Sequence, residues 1–210
     1  RRRAKLRFER RILSHDLRGA DGSSLRSAGY SFQFITSTAT GATMFVETDR
    51  MSTRTTPAVT TRSYGGTATD LDGDSYLDLL IVNEDSGDLR IFMSKGDGTG
   101  AFEPFLEPPT ALDDRASPSE ATDFNRDGKV DLVTANLDAA NISILLGNGD
   151  ATFAAKQKID VGLEPRGVAV LDVDGDGDVD IVNTNRNTSN LSILINDGTP
   201  AGVINYFEYI

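Results

Sequence analysis

The sequence predicts an all-β fold built from repeated units of four short antiparallel strands. Three observations support this class. An acidic loop of nine residues occurs three times between apolar, β-branched segments. Turns rich in Gly, Asn and Asp recur at fixed distances behind each loop. The chain of 210 residues also contains 20 Gly and no Cys or Trp, which is typical of a turn-rich protein without disulfide bonds. Short apolar segments bounded by such turns are typical of strands.

The first 55 residues form an atypical basic segment. We expect a short helix near residues 4–17 and strands near residues 31–36 and 42–47. The Arg cluster in residues 1–11 is interpreted as a solvated end, with a patch for anionic polymers or membrane surfaces as the alternative. Because the chain opens on Arg and not on Met, we expect a processed product or a fragment.

Residues 56–210 form the repeat region. Its first segment, residues 56–62, is rich in β-branched residues with a Pro near its start, which favours an edge strand. Three repeats follow, at about residues 66–115, 116–165 and 166–210. Each one has a strand, the acidic loop, a second strand, a short turn, a third strand, a Gly-containing turn and a fourth strand. Four short antiparallel strands in this order are the pattern of a propeller blade.

The acidic loops carry the chemistry. In the third, residues 172–180, five carboxylates fall within nine residues. Carboxylates this close repel one another unless a cation lies between them. Those at positions 1, 3 and 5, counted from the first Asp, can face one centre, position 7 can offer its backbone carbonyl, and position 9 can close the shell. Oxygen donors in a flexible loop suit Ca²⁺ better than Zn²⁺ or copper.

The same spacing predicts a ligand set of five residues in each loop, and therefore about three bound Ca²⁺ ions. The sets are Asp70, Asp72, Asp74, Tyr76 and Asp78; Asp123, Asn125, Asp127, Lys129 and Asp131; and Asp172, Asp174, Asp176, Asp178 and Asp180. Position 6 is Gly in the second and third loops, where a sharp turn needs a residue without Cβ, whereas the first loop has Ser75 there. We expect the third loop, with four carboxylate ligands and Gly at positions 4 and 6, to bind most tightly.

An EF-hand is excluded by the residues that follow. Its bidentate Glu at position 12 is replaced by Ile81, Thr134 or Asn183, each within an apolar, β-branched segment. The recurrent features behind each loop are instead an Asn five residues after position 9 and a Gly 26 residues after position 1. The Asn residues are Asn83, Asn136 and Asn185, and the Gly residues are Gly96, Gly149 and Gly198.

Charge and composition exclude several functions. Residues 63–210 contain 9 Lys and Arg against 27 Asp and Glu, a net charge of −18, which disfavours nucleic acid as a partner of the repeats. The sequence contains no stretch of 18 or more apolar residues, so no transmembrane segment is predicted. His15 is the single His, and without Cys there is no thiolate nucleophile or zinc cluster. We therefore predict that the chain is not an enzyme.

Residues 121–136 and 145–153, with their counterparts in the other units, resemble the FG-GAP or VCBS-type repeat of integrin α chains and many secreted bacterial proteins. The resemblance covers residues 66–210. It implies a calcium-binding β-propeller at the cell surface or outside the cell, used for adhesion or for holding a partner. Such propellers commonly have seven blades, whereas three are visible here. We therefore expect part of a longer propeller or a partial, curved array.

Two functions remain open from the sequence. The chain is expected to be a calcium-binding module for adhesion or for binding a protein or glycan, with Ca²⁺ in a structural role. The alternative is an ancillary carbohydrate-binding part of a secreted carbohydrate-active enzyme, whose catalytic domain lies outside these residues.

Overall fold

The computed structural model describes Glu47, residues 49–198 and the backbone of residues 206–209. The chain divides into two units, residues 1–50 and 51–210. In the first, Glu47 and Arg50 form an ion pair. The helix expected near residues 4–17, the strands expected near 31–36 and 42–47 and the single His lie outside the described residues, except for Glu47 at the end of the second strand.

The described part of the second unit contains three antiparallel sheets of four strands, each in chain order. The first sheet consists of β1 (Ser63–Thr69), β2 (Asp78–Asn83), β3 (Asp88–Phe92) and β4 (Thr110–Ala111); the second of β5 (Ala116–Thr122), β6 (Asp131–Asn136), β7 (Asn141–Leu145) and β8 (Gln157–Asp160); the third of β9 (Pro165–Leu171), β10 (Asp180–Asn185), β11 (Asn190–Asn196) and β12 (Tyr206–Tyr209). The all-β class and the four-stranded, blade-like sheets are confirmed. Among the described residues, no helix has the length and apolar character to cross a membrane.

The prediction of an edge strand at residues 56–62 is wrong. Val59 instead donates a backbone hydrogen bond to the Thr56 carbonyl at 3.1 Å, which closes a turn around Pro57. Arg62 has a φ of 45°, a left-handed conformation that interrupts an extended strand. Strand β1 therefore begins only at Ser63.

Each acidic loop connects the first two strands of its sheet. The strands pair up to the loop itself, with Thr69 opposite Asp78 in the first sheet and Thr122 opposite Asp131 in the second. The first strands of neighbouring sheets lie side by side, and Thr67 Oγ1 of β1 donates to the Ser119 carbonyl of β5 at 2.6 Å. The loops that follow these strands are therefore at the same end of the sheets.

The recurrent Asn closes the turn at the other end of β2, β6 and β10. Its side-chain amide donates to the side chain of the first residue of the next strand in all three sheets. The pairs are Asn83 to Asp88 at 2.9 Å, Asn136 to Asn141 at 2.7 Å and Asn185 to Asn190 at 3.1 Å. A local hydrogen bond across a tight turn thus explains why Asn recurs at this position.

The middle sheet is buried on both faces. Leu132 and Leu145 pack against the first sheet, and Val133 and Ile144, which point the other way, pack against the third. Because successive side chains of a strand alternate between faces, both sets must be apolar, and β6 and β7 are buried along their whole length. The sheets thus stack face to face, as neighbouring propeller blades do.

The residue at position 2 of the first and second acidic loops belongs to the core shared with the next sheet. Leu71 lies in the cluster between the first and second sheets, and Phe124 lies in the cluster between the second and third. They are only 4% and 2% exposed, whereas Val173, at the same position of the third loop, is 41% exposed. The residue at position 2 is therefore buried only where another sheet packs against it.

Candidate metal centres

The first Asp of each acidic loop folds the loop around its own carboxylate. One oxygen accepts a hydrogen bond from the backbone amide at position 6 in all three loops. The distances are 2.9 Å from Ser75 to Asp70, 2.9 Å from Gly128 to Asp123 and 3.0 Å from Gly177 to Asp172. The other oxygen accepts from position 4 in the first and third loops and from position 5 in the second. In every loop the first Asp side chain therefore holds two backbone amides of the loop.

The residues at positions 3 and 5 are held by shorter turns of the same kind. Each accepts a bond from the amide two residues later; for position 5 these are Tyr76 to Asp74 at 2.8 Å, Lys129 to Asp127 at 2.9 Å and Asp178 to Asp176 at 2.8 Å. The bonds to position 3 are 3.1 to 3.2 Å long. In the Asp residues such a bond uses one side-chain oxygen and leaves the second as a further acceptor, whereas Asn125 has a single oxygen with one remaining lone pair.

The last carboxylate joins the loop to the rest of its sheet. Asp78, Asp131 and Asp180 are buried, and each accepts one bond from the amide at position 2 and another from an amide 16 residues further along the chain. The distant donors are Ser94, Gly147 and Asn196, all at 2.8 Å. Each oxygen keeps a second lone pair, so these bonds are compatible with a role as metal ligand.

Burial opposes the charge on these carboxylates. It raises the pKa of Asp131 to about 6, against the amide hydrogen bonds from Gly147 and Phe124, which lower it. The neighbouring carboxylates of Asp123 and Asp127 raise it further. Burial is likewise the main cause that raises the pKa of Asp78 and of Asp180. A cation in the loop would offset both the burial and the mutual repulsion.

Two loops bring three carboxylates together. One oxygen each from Asp70, Asp72 and Asp78 lie within 4.8 Å of one another, and the same holds for Asp172, Asp174 and Asp176. Two oxygens bound to one Ca²⁺ at about 2.4 Å are at most about 4.8 Å apart, so both sets fit that ion. The donor chemistry fits as well, because all the donors are hard oxygens.

The other predicted ligands do not belong to these two groups of converging carboxylates. Among the described residues no third carboxylate cluster of this size forms in the second loop, where neutral Asn125 replaces an Asp. Lys129 Nζ lies 3.5 Å from Asp127 Oδ2, and the ring of Tyr76 is exposed. The side chain of Asp178 forms an ion pair with Arg126. Ligation by the position-7 carbonyls, and the ligand sets as a whole, remain predictions.

Position 4 of the second loop has a left-handed backbone conformation that the sequence analysis did not predict. Ser75 at position 6 has a φ of 74°, as its spacing predicts. Position 4 is also left-handed, with φ of 80° at Gly73, 59° at Arg126 and 82° at Gly175. The Gly residues of the third loop at both positions contained this signal. The second loop therefore carries backbone strain comparable to that of the first.

Similarity to known proteins agrees with the repeated geometry. Two overlapping segments, residues 70–134 and 123–183, match the FG-GAP-like repeat and together cover more than half of the chain. No curated protein matches the sequence significantly. Among solved structures, an Agrocybe aegerita lectin that recognises non-reducing terminal N-acetylglucosamine has a TM-score of 0.42 and 20% identity over 67% of this chain. The chain spans 37% of the length of that lectin.

Proposed function

Because the chain belongs to the FG-GAP-like repeat family, we propose that it is an extracellular binding module for a protein or glycan partner, with acidic loops that hold Ca²⁺. The observation that supports this proposal is the threefold repetition of one hydrogen-bond pattern around positions 1, 3, 5 and 9. Turn formation alone needs no more than one Asp or Asn per turn. A repeated set of carboxylates facing one another needs a further reason, and a bound cation supplies it.

The residues that would hold the ion are those whose oxygens already converge. In the first loop they are Asp70, Asp72 and Asp78, and in the third Asp172, Asp174 and Asp176. In the second loop, Asp123, Asn125 and Asp127 stand at the equivalent positions. When bound, Ca²⁺ supplies positive charge that offsets the repulsion among these groups.

Hydrogen bonds connect each acidic loop to the strands of its own sheet. Asp78 accepts amide bonds both from Leu71 within the loop and from Ser94 behind β3. An ordered loop therefore fixes two hairpins of the same sheet at once. We infer that the loop end of the sheets is the structural end, and that the opposite end is free to meet a partner.

The proposal assigns no catalysis to the repeats. The buried carboxylates at position 9 each accept two amide hydrogen bonds and lie in a loop whose other carboxylates are candidate ligands. A group held in this way is poorly suited to exchange protons with a substrate. Adhesion is the kind of function that matches a rigid, metal-stabilised module.

Thermal unfolding with and without Ca²⁺ tests this proposal. We expect about 1 mM Ca²⁺ to raise the melting temperature of the chain above that in EGTA, because an ion that binds only the folded state stabilises it. Asp174→Asn should reduce the shift. Asp97→Asn is the matched control, since Asp97 caps a turn through Thr99 outside the acidic loops. Coincident melting curves in Ca²⁺ and EGTA would refute the proposal.

A further inference from the structure

The buried carboxylate of Glu84 contacts three Arg side chains at the end of the sheets opposite the acidic loops. Glu84 follows β2 and is 4% exposed. Its Oε2 lies 3.4 Å from Arg62 Nη1, and its Oε1 lies 3.3 Å from Arg115 Nη2 and 3.5 Å from Arg166 Nη1. We call these three Arg residues and Glu84 the arginine cluster.

Each Arg of the cluster lies at the start of a different sheet. Arg62 directly precedes β1, Arg115 directly precedes β5, and Arg166 is the second residue of β9. Glu84 itself lies in the first repeat. The arrangement thus exists only when all three sheets are stacked, and it is not a property of a single repeat.

The guanidinium groups retain most of their hydrogen-bonding capacity. A guanidinium has five N–H donors, and each contact with Glu84 uses one of them at a long distance. The Arg side chains are 59%, 40% and 27% exposed for Arg62, Arg115 and Arg166. Within the described residues, Arg166 forms no ion pair other than that with Glu84. Donors therefore remain available to an incoming anion.

An exposed aromatic ring lies beside these donors. The Arg166 guanidinium carbon is 5.2 Å from the centre of the Tyr64 ring, and Tyr64 is 47% exposed. The cation–π contact holds Arg166 in place. An exposed tyrosine ring offers an apolar face, and its hydroxyl offers a polar edge, which together suit a sugar ring.

Two carboxylates beside the arginine cluster, which we call the rim carboxylates, limit the kind of anion that can bind. Asp85 lies 3.3 Å from Arg62 Nε, and Asp138 lies 3.5 Å from Arg115 Nη1. With Glu84 they balance the three Arg charges, and residues 63–210 carry a net charge of −18. Polyanions are therefore repelled. A ligand with one carboxylate for the guanidinium groups and several hydroxyls for the rim carboxylates is complementary.

We propose that the arginine cluster and Tyr64 bind a terminal uronic acid residue of a glycan. This inference rests on the partner-binding function proposed above and names the chemistry of the partner. The carboxylate of the sugar would accept hydrogen bonds from Arg166 and its neighbours. Its ring would lie against Tyr64, and its hydroxyls would donate to Asp85 and Asp138.

Ligand-detected NMR on the full chain in Ca²⁺ tests this inference with methyl β-D-glucuronide and the neutral methyl β-D-glucoside. We expect the glucuronide to bind at least about tenfold more tightly than the glucoside. Arg166→Gln should abolish this preference, and Tyr64→Ala should weaken the binding of both sugars. Lys95→Gln, which removes an exposed cation behind β3 at the loop end, should leave binding unchanged. Higher salt should weaken the glucuronide alone.

Several results would overturn the inference. These are no glucuronide binding by the folded chain, equal affinity for both sugars, or wild-type affinity in Arg166→Gln. Tighter binding of an Asp- and Glu-rich peptide that competes with the glucuronide would reassign the site to a protein partner. Should Arg166→Gln fail to fold, Tyr64→Ala and the salt dependence decide. A chain that responds to Ca²⁺ but binds no glucuronide would refute this inference alone, and Asp174→Asn should lose Ca²⁺ response while retaining glucuronide binding.

Discussion

Arg126 of the second acidic loop and Asp178 of the third form an ion pair, with 2.7 Å between Nη2 and Oδ1. The pair joins loops of neighbouring sheets. Burial raises the pKa of Asp178, and the charge of Arg126 lowers it. Asn196 supports the same junction, because its side chain donates to the backbone carbonyl of Phe124 at 3.0 Å and to that of Val179 at 3.3 Å. Arg126 therefore places a positive charge beside the third loop, which the sequence alone had marked as the most acidic.

We predict that Arg126→Gln increases the Ca²⁺ affinity of the third loop. Removing a cation next to Asp178 makes the potential in that loop more negative, and for a partly exposed pair we expect a gain of about threefold. A calcium titration in a background with Asp72→Asn and Asp127→Asn reports mainly the third loop. Arg186→Gln, at the opposite end of the third sheet, is the matched control. An unchanged or weaker affinity in Arg126→Gln would contradict this expectation.

Charged ligands should matter more than the neutral one. Asp172→Ala and Asp176→Ala each remove a carboxylate, and Asp172 and Asp176 belong to the group whose oxygens lie within 4.8 Å. We expect each to cost more Ca²⁺-dependent stability than Asn125→Ala, which removes a neutral oxygen. Melting temperatures of the three variants at increasing Ca²⁺ provide the measurement. The ranking fails if the Asn125→Ala defect equals or exceeds that of Asp176→Ala.

Phe124→Ala should be strongly destabilising, whereas Val173→Ala should have little effect. Phe124 fills the core between the second and third sheets, so its truncation leaves a cavity and costs about 3–5 kcal/mol. Val173 has the same position in its loop but is exposed, and its truncation should cost about 0.5 kcal/mol or less. Urea unfolding in Ca²⁺ gives both values. Similar losses for the two variants would mean that Val173 is also packed against a partner in solution.

The ion pairs of Asp113 should make stability depend on pH. Asp113 Oδ1 lies 2.6 Å from Lys156 Nζ, and Oδ2 lies 2.6 Å from Lys158 Nζ, which ties the end of the first sheet to β8. Burial raises the pKa of Asp113, but the hydrogen bonds and charges of Lys156 and Lys158 outweigh it, so the pKa is below its usual value. A lowered pKa in the folded state stabilises the fold above the unfolded pKa of about 3.9.

This contribution should be lost as the pH falls through the folded-state pKa. The difference in unfolding free energy between the wild type and Asp113→Asn isolates it from the titration of the acidic loops. We expect the difference to be largest near neutral pH and to shrink below a pH of about 4. Urea unfolding across this range, in EGTA, provides the measurement. A difference that grows as the pH falls would show that the Lys contacts do not stabilise the fold.

The sequence by itself determined the local features of this protein. The bonds from Ser75 to Asp70 and from Tyr76 to Asp74 span two to five residues, so they follow from loop spacing alone. The same is true of the Asn83 bond to Asp88. These contacts recur in every repeat because the residues that form them recur at the same spacing. The four-stranded units and the family resemblance could therefore be predicted without coordinates.

Only the tertiary structure decided the contacts between sheets. Leu71 and Val173 occupy the same position in similar loops, yet one is buried and the other exposed, because burial depends on whether another sheet lies against that residue. Arg166 and Glu84 are separated by 82 residues, and their contact depends on how the sheets are stacked. No local spacing encodes such a pair, since its geometry arises from the apolar faces that hold the sheets together.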